Sequence, residues 1–97
     1  MTAPAPDQLE HVAGLFSVLG DPVRLRILHC LRGGARSVGE IHGACGLKQA
    51  NTSKHLRTLR EAGVVVPQRS GTTVRYKIGE PLALELCDLV CGKEKLD

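Results

Sequence analysis

Three features of this chain point to a mainly α winged helix-turn-helix carrying one small β-hairpin, built as four helices, the hairpin and a last helix. From Ser37 to Ala62 a capped helix, a glycine turn and a basic helix follow one another. From Val64 to Ile78 two runs rich in β-branched residues flank Ser70-Gly71, and the positive charge concentrates on this same stretch. Residues 1–97 read as a single domain. A chain this short buries only a modest core unless a second copy covers it, so a homodimer is expected.

Met1 to Asp7, with Pro4 and Pro6, reads as a loose leader. Leu9, Val12, Ala13, Phe16 and Leu19 then recur at helical intervals and mark a first helix from about Pro6 to Val18. Asp21-Pro22 is an N-cap followed by proline at the first helical position, and Val23, Ile27, Leu28 and Leu31 continue a second helix until Gly33-Gly34 stops it. Ser37-Val38-Gly39-Glu40 fits a capping box, in which hydroxyl and carboxylate each take the other's backbone amide. Ile41 and Ala44 would form the inner face of this third helix, and Gly46 allows the sharp turn into the next.

A fourth helix lies within Leu47 to Gly63 and ends at about Ala62. Thr52, Leu56, Leu59 and Ala62 recur at three- and four-residue intervals as an inward face, leaving Gln49, Ser53, Lys54, Arg57 and Arg60 largely off it. One side packs and the other can touch a ligand. Gly63 suits the left-handed residue that closes such a helix. Strands over Val64–Arg69 and Thr72–Ile78 joined at Ser70-Gly71 give a hairpin. Many surface hairpins look alike; following a basic helix directly, this one reads as a wing. Pro81 opens a last helix whose Leu82, Leu84, Leu86, Leu89 and Val90 spread over more than one side. Its outer side needs cover, and a symmetric partner joined through the first and last helices is the simplest cover.

The net charge of +3 argues little by size but much by placement. Residues 1–46 balance four arginines against four carboxylates, and residues 78–97 carry −3. Residues 47–77 hold Lys48, Lys54, Arg57, Arg60, Arg69, Arg75 and Lys77 against Glu61 alone, for +6. A solvated charged face mixes signs; one-signed clustering on a supersecondary unit is the footprint of phosphate binding. Phe16 and Tyr76 are the only aromatic residues, which disfavours readers that stack unpaired bases on several rings and leaves duplex DNA. A winged helix used only as a protein-interaction module is the alternative, and it leaves the clustered charge without a purpose. No nucleophile motif, phosphate loop or carboxylate pair suggests an enzyme. The chain has no long apolar run and no secretory leader, so the expected setting is the cytoplasm and not a membrane.

Across nearly its whole length the chain resembles the ArsR/SmtB family of small winged-helix repressors. The residues that carry the likeness are Leu19-Gly20-Asp21-Pro22-Val23-Arg24-Leu25-Arg26-Ile27-Leu28, Ser37-Val38-Gly39-Glu40-Ile41, Thr52-Ser53-Lys54-His55-Leu56 with Leu59-Arg60-Glu61-Ala62-Gly63-Val64, and Arg75-Tyr76. Each piece is weak alone, but four in order at family-like spacing are specific. The resemblance implies a homodimer that sits on operator DNA and leaves when an inducer binds. Carried over by position, the reader is Gln49, Asn51, Ser53, Lys54 and His55, with Gln49 the best base contact because its amide can both donate to and accept from adenine. Lys48, Lys54 and Arg57 suit phosphates, and Arg69, Thr72, Thr73 and Arg75 of the wing would meet the backbone or minor groove. His55 suits packing as well as DNA contact.

Four cysteines in a chain read as cytosolic suggest metal, thiol chemistry or core filling rather than disulfides. Cys30 and Cys45 occupy places that any small apolar residue could fill. Cys87 and Cys91, four apart on one helix face, could hold one soft metal or metalloid ion between them. A tetrahedral zinc site would still need ligands from Asp88, Glu85, Cys30, His29, His11 or the other protomer. The chain departs from the family's familiar metal boxes: the Cys-x-Cys positions hold Ser37 and Gly39, and no histidine follows His55. Another branch of the family senses oxidants or reactive sulfur through one cysteine on the second helix and one on the last, which makes Cys30 with Cys87 or Cys91 a candidate pair. The family's second-helix position falls at His29, however, about 100° of helical rotation away.

Overall fold

The computed structural model describes residues 3–93 of the chain. Helices α1 (Pro6–Leu19), α2 (Pro22–Cys30), α3 (Val38–Cys45), α4 (Gln49–Glu61) and α5 (Pro81–Lys93) surround a small sheet of β1 (Arg36–Ser37), β2 (Val65–Ser70) and β3 (Thr73–Ile78). Helix α1 already begins at Pro6, so Asp7 belongs to its first turn rather than to a leader. Met1 and Thr2 of that expected leader, and Glu94, Lys95 and Asp97 of the acidic C-terminal segment, lie outside the described residues.

The capping chemistry is as expected. Asp21 accepts from the amides of Val23 (2.8 Å) and Arg24 (3.2 Å), closing the start of α2. Ser37 and Glu40 complete the reciprocal box at α3, at 3.2 Å and 3.0 Å. Helix α4 ends in a Schellman motif: Gly63, at φ 74°, donates to Arg60 O and Val64 donates to Leu59 O, both at 2.9 Å. The chain is thereby turned straight into β2.

Two details of the sheet differ from expectation. The hairpin pairs Ser70 with Thr73, so its two-residue turn is Gly71-Thr72, one residue later than Ser70-Gly71. Gly71 alone has positive φ, 63°, which identifies the type II′ turn that matches strand twist. The hairpin is also not alone. Strand β1 pairs antiparallel with β3, Arg36 against Tyr76 and Ser37 against Arg75, giving the order β1-β3-β2. A two-residue strand has no alternation to read, which is why sequence alone shows only the cap at Ser37.

The core is made by Leu15 and Leu19 of α1, Ile27 and Leu28 of α2, Leu31 after it, Ile41 and Cys45 of α3, Leu56 and Leu59 of α4, Val64 and Val65, and Ala83 of α5. On α3 the inner pair is Ile41 with Cys45, four residues on, and Ala44 is exposed; on α4 Ala62 is exposed as well, beyond the last helical turn. Thr52 is fully buried and its hydroxyl donates to Lys48 O (3.1 Å), which satisfies a polar group in an apolar site. Outside the core, Leu9 and Phe16 of α1 and Leu82, Leu89 and Val90 of α5 remain large exposed apolar residues.

Candidate nucleic-acid interface

Helix α4 is aimed by the turn before it. Gly46, at φ 67°, reverses the chain after α3, and Leu47 N–H donates to His42 O (3.2 Å) while the His42 ring Nδ1 meets the Leu47 carbonyl. His42 thus brackets the turn through both its carbonyl and its ring, a role that its place in the sequence does not announce. Only a short reach from α3 across the turn could have hinted at it.

The first helical bond of α4 runs from Thr52 N–H to Lys48 O (3.0 Å), and no side chain caps its start. The amides of Gln49, Ala50 and Asn51 therefore face outward beyond the helix end, where the helix dipole favours an anion such as phosphate. Lys48, Gln49, Asn51, Ser53, Lys54, Arg57 and Arg60 are all exposed. Thr52, Leu56 and Leu59 are buried on the opposite side. Helix α4 therefore has one packed face and one polar, cationic face.

His55 stands apart from this set. It is half-buried, with its Nδ1 shielded from solvent and without a hydrogen-bond partner, and it lies close enough to Asp21 for its charge to help hold that carboxyl low. It faces the α2 start more than open solvent.

On the wing, Arg69, Thr72 and Thr73 are exposed around the hairpin tip. Arg75 is not at the tip. It is half-buried near the sheet centre, and its guanidinium pairs with Glu40 at 3.3 Å, tying β3 to the cap of α3. Arg57 also has a carboxylate neighbour, Glu61 one turn on at 3.2 Å, but both side chains remain mostly in solvent. Such a pair is weak and is readily exchanged for a phosphate.

The cysteines sort differently from expectation. His29, Arg32, Cys87, Asp88 and Cys91 line a cleft of about 510 Å³ between α1, α2 and α5, with Phe16, Leu25 and Leu84 among its apolar walls. Cys30 does not line it; it packs instead against the core that holds Cys45 of α3. The position facing α5 is His29, so the rotation of one residue separates Cys30 from Cys87 and Cys91, and the structure does not bring that expected pair together. Burial, then the charges of Cys91 and Asp88, push the Cys87 thiol up, with Arg32 pulling the other way. In one protomer that balance favours the protonated thiol at Cys87.

Among the described residues no three His, Cys, Asp or Glu side chains converge to hold a metal ion. Asp88 is taken by Arg32, and Glu85, His29, His11 and Cys30 do not complete a set with Cys87 and Cys91. Two thiols in one protomer are too few for a zinc ion, so the expected metal site does not fit within a single chain. Among the described residues no helix is long and apolar enough to cross a membrane.

A helix-turn-helix domain family matches residues 19–68 of the chain. The chain is 39% identical over 79 residues to the transcriptional repressor SmtB of Mycobacterium tuberculosis, a match covering 80% of this chain and 58% of that protein. Its fold superposes on the transcriptional repressor BigR from Xylella fastidiosa with a TM-score of 0.84 at 31% identity, covering 94% of this chain and 93% of that one. It also superposes, with a TM-score of 0.80 at 30% identity, on a homodimeric winged helix-turn-helix DNA-binding domain from Mycobacterium bovis, over 100% of this chain and 94% of that one. The chain spans 58% to 77% of the length of the curated regulators it matches, and under two thirds for those of Mycobacterium tuberculosis. These relatives are transcriptional regulators, not enzymes. By its fold, its helix-turn-helix and these relatives, the chain belongs to the ArsR/SmtB family of winged-helix transcriptional repressors.

Proposed function

We propose that this chain, a single winged helix-turn-helix domain over residues 1–97, is a cytoplasmic repressor that binds double-stranded operator DNA specifically as a homodimer. The observation that carries the proposal is the split of α4 into a buried face and an exposed face bearing Gln49, Ser53, Lys54 and Arg57. Gln49, Asn51 and Ser53 meet base edges in the major groove, while Lys48, Lys54 and Arg57 hold phosphates. Arg69, Thr72 and Thr73 follow the flanking backbone, Arg75 braces the wing through Glu40, and His55 supports the helix from beneath.

The dimer forms through α1 and α5, whose exposed Leu9, Phe16, Leu89 and Val90 support that interface. Two recognition helices must then meet successive major grooves about one turn, roughly 34–36 Å, apart. An inducer directed at thiols, either a soft metal or metalloid ion or an oxidant or reactive sulfur species, acts at Cys87 and Cys91. A bound ion would draw its remaining ligand from the partner. Because these thiols lie beside the cleft between α5 and the body, modification changes the protomers' packing and with it the groove spacing. The two states must differ in inducer affinity for this coupling to work.

The test is a gel shift with the protein's own promoter fragment and a random duplex at two salt concentrations. Preference for the promoter, with log affinity falling steeply against log salt, is the expected result. Weak binding that ignores sequence would return the fold to a protein-interaction role.

A further inference from the structure

Cys30 and Cys45 come from different helices and stand 15 positions apart in the chain, yet Cys30 packs against the core that holds Cys45, near enough to help push the Cys45 thiol up. Cys45 is 8% exposed, and its Sγ sits 3.9 Å from Arg26 O, the carbonyl one turn before Cys30. The Arg26 guanidinium reaches back to Cys45 O at 3.3 Å, so Arg26 and Cys45 tie α2 to α3 through two contacts. Cys30 is only half-buried.

Each cysteine is also the last residue of its helix. A 3-10 turn and Gly34 follow Cys30, and left-handed Gly46 follows Cys45. Helix ends fray more readily than helix centres, which leaves room for backbone movement that disulfide geometry requires.

We propose that Cys30 and Cys45 are a dithiol site that closes to an intramolecular disulfide, joining α2 to α3 independently of Cys87 and Cys91. The oxidant is a hydroperoxide. The accessible Cys30 loses its proton to solvent and its sulfur attacks the peroxide, breaking the O–O bond and releasing an alcohol, or water from hydrogen peroxide; Cys30 becomes a sulfenic acid. The Cys45 sulfur then displaces the sulfenic oxygen as water, forming the S–S bond. Two thiols are oxidised by two electrons, and one peroxide is reduced to alcohol plus water. The buried Cys45 thiol, pushed up chiefly by its burial and next by Cys30, suits the resolving role and not the attacking one. The bond fixes α3, the first helix of the helix-turn-helix, against α2. Its effect on DNA rests on the function proposed above.

The experiment treats a Cys87→Ser/Cys91→Ser protein with hydrogen peroxide and reads intact mass and cross-linked peptides without reduction. The expected product is a monomer lighter by two hydrogens, with a peptide joined through Cys30 and Cys45, reversed by dithiothreitol and absent when Cys45→Ala is added. Unchanged thiols, or oxygen added at Cys30 with no cross-link, overturn the site. In a second arm the oxidised and reduced proteins are compared on the promoter fragment, where at least a tenfold difference in affinity is expected. A complete cross-link with equal affinity overturns the coupling to DNA. If the reduced protein shows no promoter preference, the DNA-binding reading has failed and the mass result still decides the site.

Discussion

Arg32 and Asp88, 56 positions apart, form a two-pronged ion pair that ties the turn after α2 to the middle of α5, with Nη1 to Oδ2 at 2.9 Å. The tie adds to a packing in which Ala83 is the one fully buried residue of α5 among those described, with Leu84 and Leu86 partly buried against the core. Both partners are largely in solvent, so the pair adds little to global stability. Its effect is local. Asp88→Asn should leave the urea midpoint nearly unchanged while amides in the last two turns of α5 exchange with deuterium several-fold faster. Equal exchange in the variant would show that α5 is held by packing alone.

Acid should loosen the same molecule at defined points. The Arg32 hydrogen bond and charge hold the Asp88 carboxyl below its usual value. The Ser37 amide and hydroxyl do the same for Glu40, joined by the charges of Arg75 and Arg36 and opposed by burial. At Asp21 burial pushes up, but the amides of Arg24 and Val23 and the charge of His55 outweigh it. All three carboxyls are depressed in the folded state, so their contribution is complete above the unfolded values of about 4. It is lost as pH falls through the lower folded values. Urea midpoints should therefore fall steadily below about pH 4, and the Asp21→Asn/Glu40→Gln variant should flatten that limb. A parallel acid limb in the variant would assign the loss to other groups.

Gly79 is fixed by close approach. A Cβ there would stand 2.7 Å from Val66 Cγ1 and 3.0 Å from Gly63 O, at the point where Gly79 N–H donates to Val64 O (2.9 Å). Gly79→Ala must push the end of β3 away from the turn that closes α4. A loss of about 1–3 kcal/mol is expected, read as a lower thermal midpoint. Gly43→Ala, where nothing lies within 4 Å of the added Cβ, should be neutral or slightly stabilising.

On DNA, Gln49→Ala should cost about 1–3 kcal/mol on the promoter and little on random duplex, relaxing discrimination. Lys54→Ala and Arg57→Ala should weaken both duplexes and each lower the salt slope by about one. Arg75→Ala should behave differently, because its guanidinium holds Glu40. It should raise hydrogen exchange at the α3 start along with any loss of affinity. Equal losses on both duplexes for Gln49→Ala would remove it from the base-reading set.

The helices were legible because their caps are local. Asp21, Ser37 and Gly63 each act within a few residues, and pattern alone locates them. The two faces of α4 follow from the 3.6-residue period in the same way. Features that depend on distant contacts were not legible. The pairing of Arg36 with Tyr76, the hold of Glu40 on Arg75, and the packing of Cys30 against the core that holds Cys45 rather than in the cleft with Cys87 all depend on how α2, α3 and the sheet are packed together. A one-residue register on α2 decides the last of these, and spacing within a single helix carries no information about its neighbour.

The apolar cleft bears on assembly. Phe16 is 57% exposed at the edge of a volume of about 510 Å³ also walled by Leu25, Leu84 and Val90, while Leu89 is 60% exposed near it on α5. Burying a side chain of this size contributes about 1.5–3 kcal/mol, and a dimer axis repeats each contact twice. Putting a carboxylate there would add the cost of burying an unpaired charge. Phe16→Glu should therefore shift the protein from dimer to monomer by light scattering at micromolar concentration, with helical circular dichroism retained because Phe16 is outside the core. Promoter affinity should fall with it, since one protomer reaches only one groove. A Phe16→Glu protein that remains dimeric would move the interface away from α1 and leave the cleft to another occupant.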